Sequence, residues 1–504
     1  MSVFSCIINF RDNLTKNSSY YLTLLSKMSD KKYSDCRIDE HAAWCCRRPG
    51  EITSKISEGY QFTSLFCGSL RNAGELKKEL IKYGYELNTE SDAEVALTAY
   101  IHFGRQCMQK LHGDFTFIVN DCMRRCALIM GTASGTPVFY CQTDSAVIIS
   151  SHPAGLFPHP EITPKITADS LRTLFLMPHR TDGCIFDGIK AVPRADILKI
   201  TDESVSLIHA EKACPAQMPV GLRETAAAVA DTIGENIKKS DEAGIVLTGS
   251  HVSDALLSIT SAKTRRLSSY SFRGENTLTQ TICSYHSHLP VSEDALRESL
   301  KKSVTTFGIP IFSDFDYLLP IYFSWIPSGT DTVYLPSPGF AKANSCGCRA
   351  MLKNHAFIPI ITKTLELDGN YTPENGDLFN YSAMYASEHN IPAATPLADS
   401  RIMEIMQSVP YTSDGIFTEI LRERPGFIPV AVAPCDDLPI LRRILLEILA
   451  DENSPLSAFF DLGALLRLCE GKFDFSGAAA SQSAYIAYLI KLHIWFCEYK
   501  PRII

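Results

Sequence analysis

The sequence predicts two domains of mixed class, an α+β half followed by a parallel α/β half. Three observations predict this. Six short β-type runs fall within the first ~200 residues. A strand–turn–helix–strand succession begins at Gly244. The end of the chain carries three helical patterns. At roughly 150 residues per domain, a chain of 504 residues holds two or three domains.

The β-type runs are Val3–Phe10, Phe62–Phe66, Phe115–Val119, Cys126–Met130, Pro137–Cys141 and Ala146–Ser150, each short and apolar or aromatic. Helical spacing interrupts them. In Tyr20–Met28, the residues Tyr21, Leu24, Leu25 and Met28 share one face. Ala73–Lys82 follows a turn at Gly68–Asn72. Glu94–Phe103 is opened by Ser91 and Asp92, either of which can cap it. The character changes between Asp202 and Leu222, which divides the chain into 1–205 and 206–504. Leu222–Lys239 is an amphipathic helix. Gly244–Leu247 is a strand, turned by Thr248-Gly249-Ser250 into the helix Asp254–Thr260, and Arg266–Phe272 is the next strand. Ile321–Trp325 and Thr332–Leu335 continue the alternation. Helices close the chain at Leu438–Leu449, Ala464–Cys469 and Ala484–Tyr499.

A hydrophobic fraction of 45% and a charged fraction of 21% are those of a globular chain. The net charge of −8 is spread thinly, and the longest basic cluster is Lys263, Arg265 and Arg266. Nucleic-acid binding needs a basic stripe, so no nucleic-acid partner is expected. No run approaches the ~20 apolar residues of a spanning helix, and Arg11 and Asp12 interrupt the first apolar run. A cytoplasmic protein with free thiols is therefore expected for the 17 cysteines. Cys122 with Cys126, and Cys346 with Cys348, have no second matching pair, so no metal site is expected.

Four segments carry a resemblance to a family. Asn88–Val95 (NTESDAEV) resembles the T-x-SDTEV segment of the glutaminase domain of glutamine-hydrolysing asparagine synthetases, and Leu111–Phe117 (LHGDFTF) resembles their LNGxFAF strand. Thr395–Arg401 (TPLADSR) resembles the VPFLDxR segment of the synthetase domain, and Ala484–Tyr499 resembles the terminal helix of a bacterial subgroup. The matches come in the family's order. The resemblance implies an N-terminal Ntn-type αββα class II glutaminase-like sandwich. It implies a C-terminal α/β adenine-nucleotide (PP-loop) synthetase-like domain. It also implies a chemistry: an N-terminal cysteine frees ammonia from glutamine, ATP adenylates aspartate, and ammonia displaces AMP.

Many positions of that chemistry hold other residues. The nucleophile position is Ser2, a poorer nucleophile than a thiol until a base activates it. Cys6 is the nearest thiol and reads as a buried strand residue. The glutamine-binding Asn-Gly-Glu is Cys67-Gly68-Ser69, which costs an oxyanion-hole donor. Tyr33–Arg37 contains no counterpart of the family's HRGPD. Arg48 stands where the family grips the glutamine carboxylate and Asp92 where it takes the α-amine; a solvated arginine and a helix cap explain them equally. The phosphate loop S-G-G-x-D-S is Thr248-Gly249-Ser250-His251-Val252-Ser253, without the Asp that helps hold Mg²⁺. The second acidic segment falls on Ser337–Lys342, with Pro338, Ala341 and Lys342 in place of its acids, and Thr418 replaces a lysine. The ATP-contact positions correspond to Leu247, Thr248, Gly249, Ser250, Ser253, Phe272, Pro336 and Ser337.

ATP and Mg²⁺ are the cofactors the resemblance implies, and the lost carboxylates count against both. Two readings follow. One is a catalytically impaired relative that works by binding or regulation, through a second copy of the chain or another protein. The other is a working ATP-dependent amidotransferase acting on glutamine and aspartate. The substitutions favour the first. A third reading, ligase chemistry without glutaminase, conflicts with Val252 and Pro338.

Overall fold

The computed structural model describes residues 3–28, 34–48, 50–132, 135–176, 184–193, 196–209, 221–272, 277–313, 315–327, 329–336, 349–365, 367, 391–422, 437–475 and 481–504. The chain forms two compact units. The first comprises Met1–Lys165 with Asp182–Lys212, and the second comprises Ile166–Thr181 with Ala213–Ile504.

The first unit is built on two six-stranded antiparallel sheets. The strands are β1 (Phe4–Ile8), β2 (Asp35–Ile38), β3 (Ala42–Cys46), β4 (Gly50–Ser57), β5 (Tyr60–Leu70), β6 (Gly113–Asp121), β7 (Cys126–Gly131), β8 (Phe139–Gln142) and β9 (Val147–Ser150). The two-residue β10 (Lys165–Ile166) precedes β11 (Ile189–Ala191), β12 (Ile197–Thr201) and β13 (Val205–Ile208). One sheet runs β11-β8-β9-β1-β3-β2 and the other β13-β12-β7-β6-β5-β4. Alternation fixes which face each side chain takes. Phe4, Cys6 and Ile8 of β1, Trp44 and Cys46 of β3, Leu65 and Cys67 of β5 and Ile118 of β6 meet in one buried core between the sheets. Phe62 and Phe66 point the other way, with Phe115 and Phe117, against the helices α2 (Ala73–Lys82) and α3 (Asp92–Phe103). On the outer side of the first sheet, α1 (Ser18–Lys27) buries Leu24 and Leu25 and lies along β3. The layers are therefore helix, sheet, sheet, helix.

The second unit holds a five-stranded parallel sheet of β14 (Ser240–Leu247), β15 (Thr264–Ser271), β16 (Tyr285–His288), β17 (Val333–Tyr334) and β18 (Ala393–Ala394), in the order β16-β15-β14-β17-β18. One face is covered by helices that include α5 (Leu222–Asn236), α6 (His251–Ser261) and Ser413–Arg422; Val229, Ile233, Leu256, Phe417 and Leu421 share its core. An earlier helix, α4 (Ala168–Leu176), belongs to this unit too. The apolar terminal helix Gln482–Tyr499 is buried over most of its length, and its Lys491 reaches the equally buried Asp316 at 2.7 Å. Among the described residues no helix is long and apolar enough to cross a membrane.

Two expectations are corrected. Ile321–Trp325 lies in the helix Leu319–Trp325, whose residues from Leu319 to Phe323 are all buried. A fully buried apolar run carries no period that separates helix from strand. Nor are all thiols free: Cys36 of β2 and Cys45 of β3 are directly opposite in the ladder and form a disulfide. Spacing alone gives no sign of this, because the pairing depends on the register of two strands. Cys346 and Cys348 lie outside the described residues.

Candidate active sites

In the first unit, the candidate glutamine-binding positions gather where β4 begins and β5 ends. Gly50 pairs with Cys67 across β4 and β5, which brings the preceding, exposed Arg48 to the same end of the sheet. Gly68 has φ of 128°. A Cβ there would sit 2.1 Å from the carbonyl oxygen of Asp114, and one on Gly113 would sit 2.1 Å from that of Ser69. The two strands thus approach through two glycines, a contact no side chain fits. This gives the Gly68 and Gly113 segments a common physical cause.

Asp92 is brought to the same place. Its Oδ2 accepts the amide of Leu70 at 2.7 Å, so it ties the end of β5 to the start of α3. The helix cap is Ser91, whose hydroxyl accepts from the Ala93 amide and donates to Glu51 Oε2 at 2.6 Å. The capping alternative for Asp92 is thereby corrected by one position. Glu94, which sequence reading passed over, holds the approach to this helix. Its carboxylate accepts from the amides of Asn88 and Thr89, the Thr89 hydroxyl and Lys55 Nζ. Burial would push its pKa up, yet the bonds from Lys55, Thr89 and Asn88 outweigh this and bring it down to about 2. A Glu three residues after a Ser cap was the available signal.

The Cys67 thiol faces the inter-sheet core and lies 3.2 Å from Thr136 Oγ1. Burial pushes its pKa up to about 11, against the Thr136 bond and the charge of Arg47. It is a neutral thiol at pH 7, a weak donor and no nucleophile. Ser69 is exposed at the end of β5. Ser2 lies outside the described residues. Its neighbour Val3 donates to Ser151 Oγ at 2.6 Å and accepts from the Arg47 amide at 2.9 Å. Ser151 is fully buried and was not singled out in the sequence; the polar Ser-Ser-His following an apolar run was its only signal. Cys6 is buried in β1, where burial and then Asp39 raise its pKa well above the usual thiol value.

In the second unit, the candidate ATP positions meet at the carboxyl edge of the parallel sheet. Chain order reverses there at β14, with β15 on one side and β17 on the other. Ligands of open α/β sheets bind at such an edge. Leu247 ends β14, Gly249 turns with φ of 75°, and Ser250 caps α6 by accepting from the Ser253 amide. Thr248 Oγ1 and Ser250 Oγ are 2.9 Å apart. Phe272 follows β15 and the buried Pro336 lies just beyond β17. Ser337, Pro338, Ala341 and Lys342 lie outside the described residues.

The side chains on this frame are committed to the frame itself. Ser253 Oγ donates back to the Ser250 carbonyl. His251 Nδ1 is 2.8 Å from Asp414 Oδ1 and 3.1 Å from Thr418 Oγ1. Val252 packs against the apolar core of the unit. Asp254 follows in the first turn, but two residues further is about 200° around a helix, so it does not take the place of position 252. Tyr322, another residue the sequence did not flag, donates to the Leu247 carbonyl at 2.8 Å and sets its ring edgewise against Phe272. The TPLADSR segment is a clamp. Asp399 caps the helix Ser400–Ser408 and binds Arg401 and Asn236, while Arg401 reaches Glu235 at 2.8 Å.

Residues 56–210 match the family model described as a glutamine amidotransferase domain. Two relatives from Bacillus subtilis (strain 168) are similar to the chain. Asparagine synthetase [glutamine-hydrolyzing] 3 is 32% identical over 164 residues, which covers 32% of this chain and 26% of that protein. Asparagine synthetase [glutamine-hydrolyzing] 1 is 36% identical over 89 residues, which covers 16% of this chain and 14% of that protein. The matched stretch thus spans about a quarter of the longer match's own length. Among solved structures, the glutamine phosphoribosylpyrophosphate amidotransferase of B. subtilis complexed with ADP and GMP aligns over 86% of this chain and 99% of that one, with 11% identity and a TM-score of 0.30.

Proposed function

We propose that this chain, which carries a glutamine amidotransferase domain similar to that of glutamine-hydrolysing asparagine synthetases, keeps the frames of two active sites and has lost most of their chemistry. It then acts by binding or regulation, through a second copy of itself or another protein. The observation that carries this reading is Val252. The position that would help hold Mg²⁺ packs on an apolar core, and an aliphatic side chain cannot ligate a cation that requires oxygen. Mg²⁺ therefore does not fit the described part of the cradle, and no step is assigned to it. Cys67 supports the same reading in the first unit: a neutral thiol bound to Thr136 replaces a strong oxyanion donor.

A second reading, a working amidotransferase with altered groups, is favoured by the convergence of Arg48, Gly68 and Asp92 at one sheet end. Pyrophosphate release with ATP, Mg²⁺, aspartate and ammonia separates the two, because ammonia bypasses the glutaminase site. Background release is expected. Turnover at about 1 per second or faster would establish the second reading, and calorimetry should find weak, metal-independent ATP binding or none.

A further inference from the structure

We propose that Cys36 and Cys45 form a reversible thiol–disulfide exchange site, outside the matched amidotransferase stretch, whose natural reductant is a dithiol. The two residues stand directly opposite in the antiparallel ladder of β2 and β3, with Cα atoms 4.2 Å apart. That is the spacing of a non-hydrogen-bonded pair, where cross-strand side chains are closest. Among the described residues β2 ends the strand order of its sheet, hydrogen-bonded to β3. Cys36 is exposed and Cys45 is buried. A reductant therefore has one sulfur to attack and one to expel.

The chemistry balances with a dithiol. One thiolate of the reductant attacks Cys36 Sγ and forms a mixed disulfide. The Cys36–Cys45 bond breaks, and Cys45 leaves as a thiolate that takes up a proton. The second thiol of the reductant then attacks its own sulfur in the mixed disulfide. Cys36 is released as a thiolate and protonated, and the reductant closes to a disulfide. Two electrons and two protons pass from the dithiol to the protein.

Other cysteines lie close by but do not compete. Cys46 follows Cys45 in β3 and so points to the opposite face, into the core with Cys6 and Cys67. Burial, then the nearby carboxylates led by Asp35, push Cys46 up to about 12. The neighbouring sulfurs are buried thiols, and thiols, unlike thiolates, do not attack disulfides.

Opening the bond has a local consequence. It removes the covalent tie on a four-residue edge strand. The turn beyond stays clamped, because Asp39 accepts from Arg37 Nε at 3.0 Å, Trp44 Nε1 at 3.0 Å and Gln61 Nε2 at 2.9 Å. β3 runs on into Arg47, which bonds Val3, and then Arg48. The exchange site thus lies on the strand that leads into the candidate glutamine site.

The test counts thiols in the whole chain. The protein is equilibrated with oxidised glutathione or with dithiothreitol while native, then unfolded and alkylated. Dithiothreitol should leave all 17 cysteines open to label, and oxidised glutathione should leave Cys36 and Cys45 unlabelled and joined to each other. Label on Cys36 and Cys45 after oxidation would overturn the proposal. So would a bond that dithiothreitol opens only after unfolding. Reduced glutathione, a monothiol, should leave an adduct on Cys36, and an adduct on Cys45 instead would also overturn it. Cys36→Ser should leave Cys45 open to label after either treatment; the peptide map on the unaltered chain stands even where that variant fails to fold. Amide exchange at Asp35–Ile38 should be at least tenfold faster in the reduced protein, and unchanged exchange would refute the release of β2.

Discussion

The two candidate sites are held by different chemistry. In the first unit the frame depends on carboxylates: Glu94 gathers four donors in front of α3, and Asp92 fastens the end of β5. In the second unit the turn itself depends on backbone geometry and hydroxyls, through Gly249, Ser250 and Ser253, and a carboxylate enters only beside it, where Asp414 and Thr418 hold His251. The difference teaches how each site tolerates loss. Where an acid supports the fold, its presence is no proof of a ligand. Where the turn supports itself, position 252 can carry an aliphatic side chain while strand, turn and helix stay in place.

The largest test of that contrast is Gly68→Ala. Its Cβ would overlap the Asp114 carbonyl at a φ of 128°. Backbone cannot move aside as a flexible side chain can, so a loss of about 4 kcal/mol is expected from overlap and strain together. Denaturant unfolding that shows less than about 1 kcal/mol would mean the strands do not meet there as closely as described.

Glu94→Gln comes next and carries a pH signature. The folded carboxyl has its pKa lowered to about 2, against an unfolded value near 4.3. A lowered pKa contributes stability above the unfolded value, and that stability is lost as pH falls toward the folded one. The difference is about 3 kcal/mol at pH 7. The variant should be less stable by about that amount at neutral pH and should converge with the parent near pH 2. A gap that is constant over the whole range would show that the charge is not what matters.

Repair should distinguish the sites kinetically. On the proposed reading, Ser2→Cys with Cys67→Asn and Ser69→Glu supplies a thiol and a donor to a frame that already has Asp92 and Arg48. Glutamine hydrolysis should rise at least about tenfold, since one oxyanion donor alone is worth more than that. Val252→Asp alone should leave pyrophosphate release at background. A triple variant with no gain would place the defect of the first unit in its frame.

Much of the fold was legible in the sequence because alternation and helical spacing carry it. The runs at Phe115–Val119 and Cys126–Met130 sit inside β6 and β7, and the Thr248–Ser250 turn joins β14 to α6. The strands β2, β3 and β4 were not legible. β2 and β4 are sheet edges with polar, half-exposed residues, and β3 is buried throughout, so none of the three alternates strongly. In the site, backbone requirements such as Gly68 and Gly249 left a trace in residue type. The partners of Asp92, Cys67 and Val252 did not, because Leu70, Thr136 and the apolar core reach them only through tertiary packing.

Gly249→Ala is the smallest expected effect and bears most directly on the contrast. Gly249 sits at φ of 75°, in the left-handed region. A residue with a Cβ pays about 1 to 2 kcal/mol for that conformation. Ser250 would still cap α6 through the Ser253 amide, and the core beneath Val252 is untouched by the change. The loss should therefore appear in amide exchange of the first turn of α6, with β14 still protected. It should stay well below the loss from Gly68→Ala, where a Cβ would also overlap the Asp114 backbone at 2.1 Å. Equal losses at the two glycines would mean that the turn is as tightly built as the strand crossing. The turn would then not be self-supporting, and its tolerance of an aliphatic residue at position 252 would need another cause.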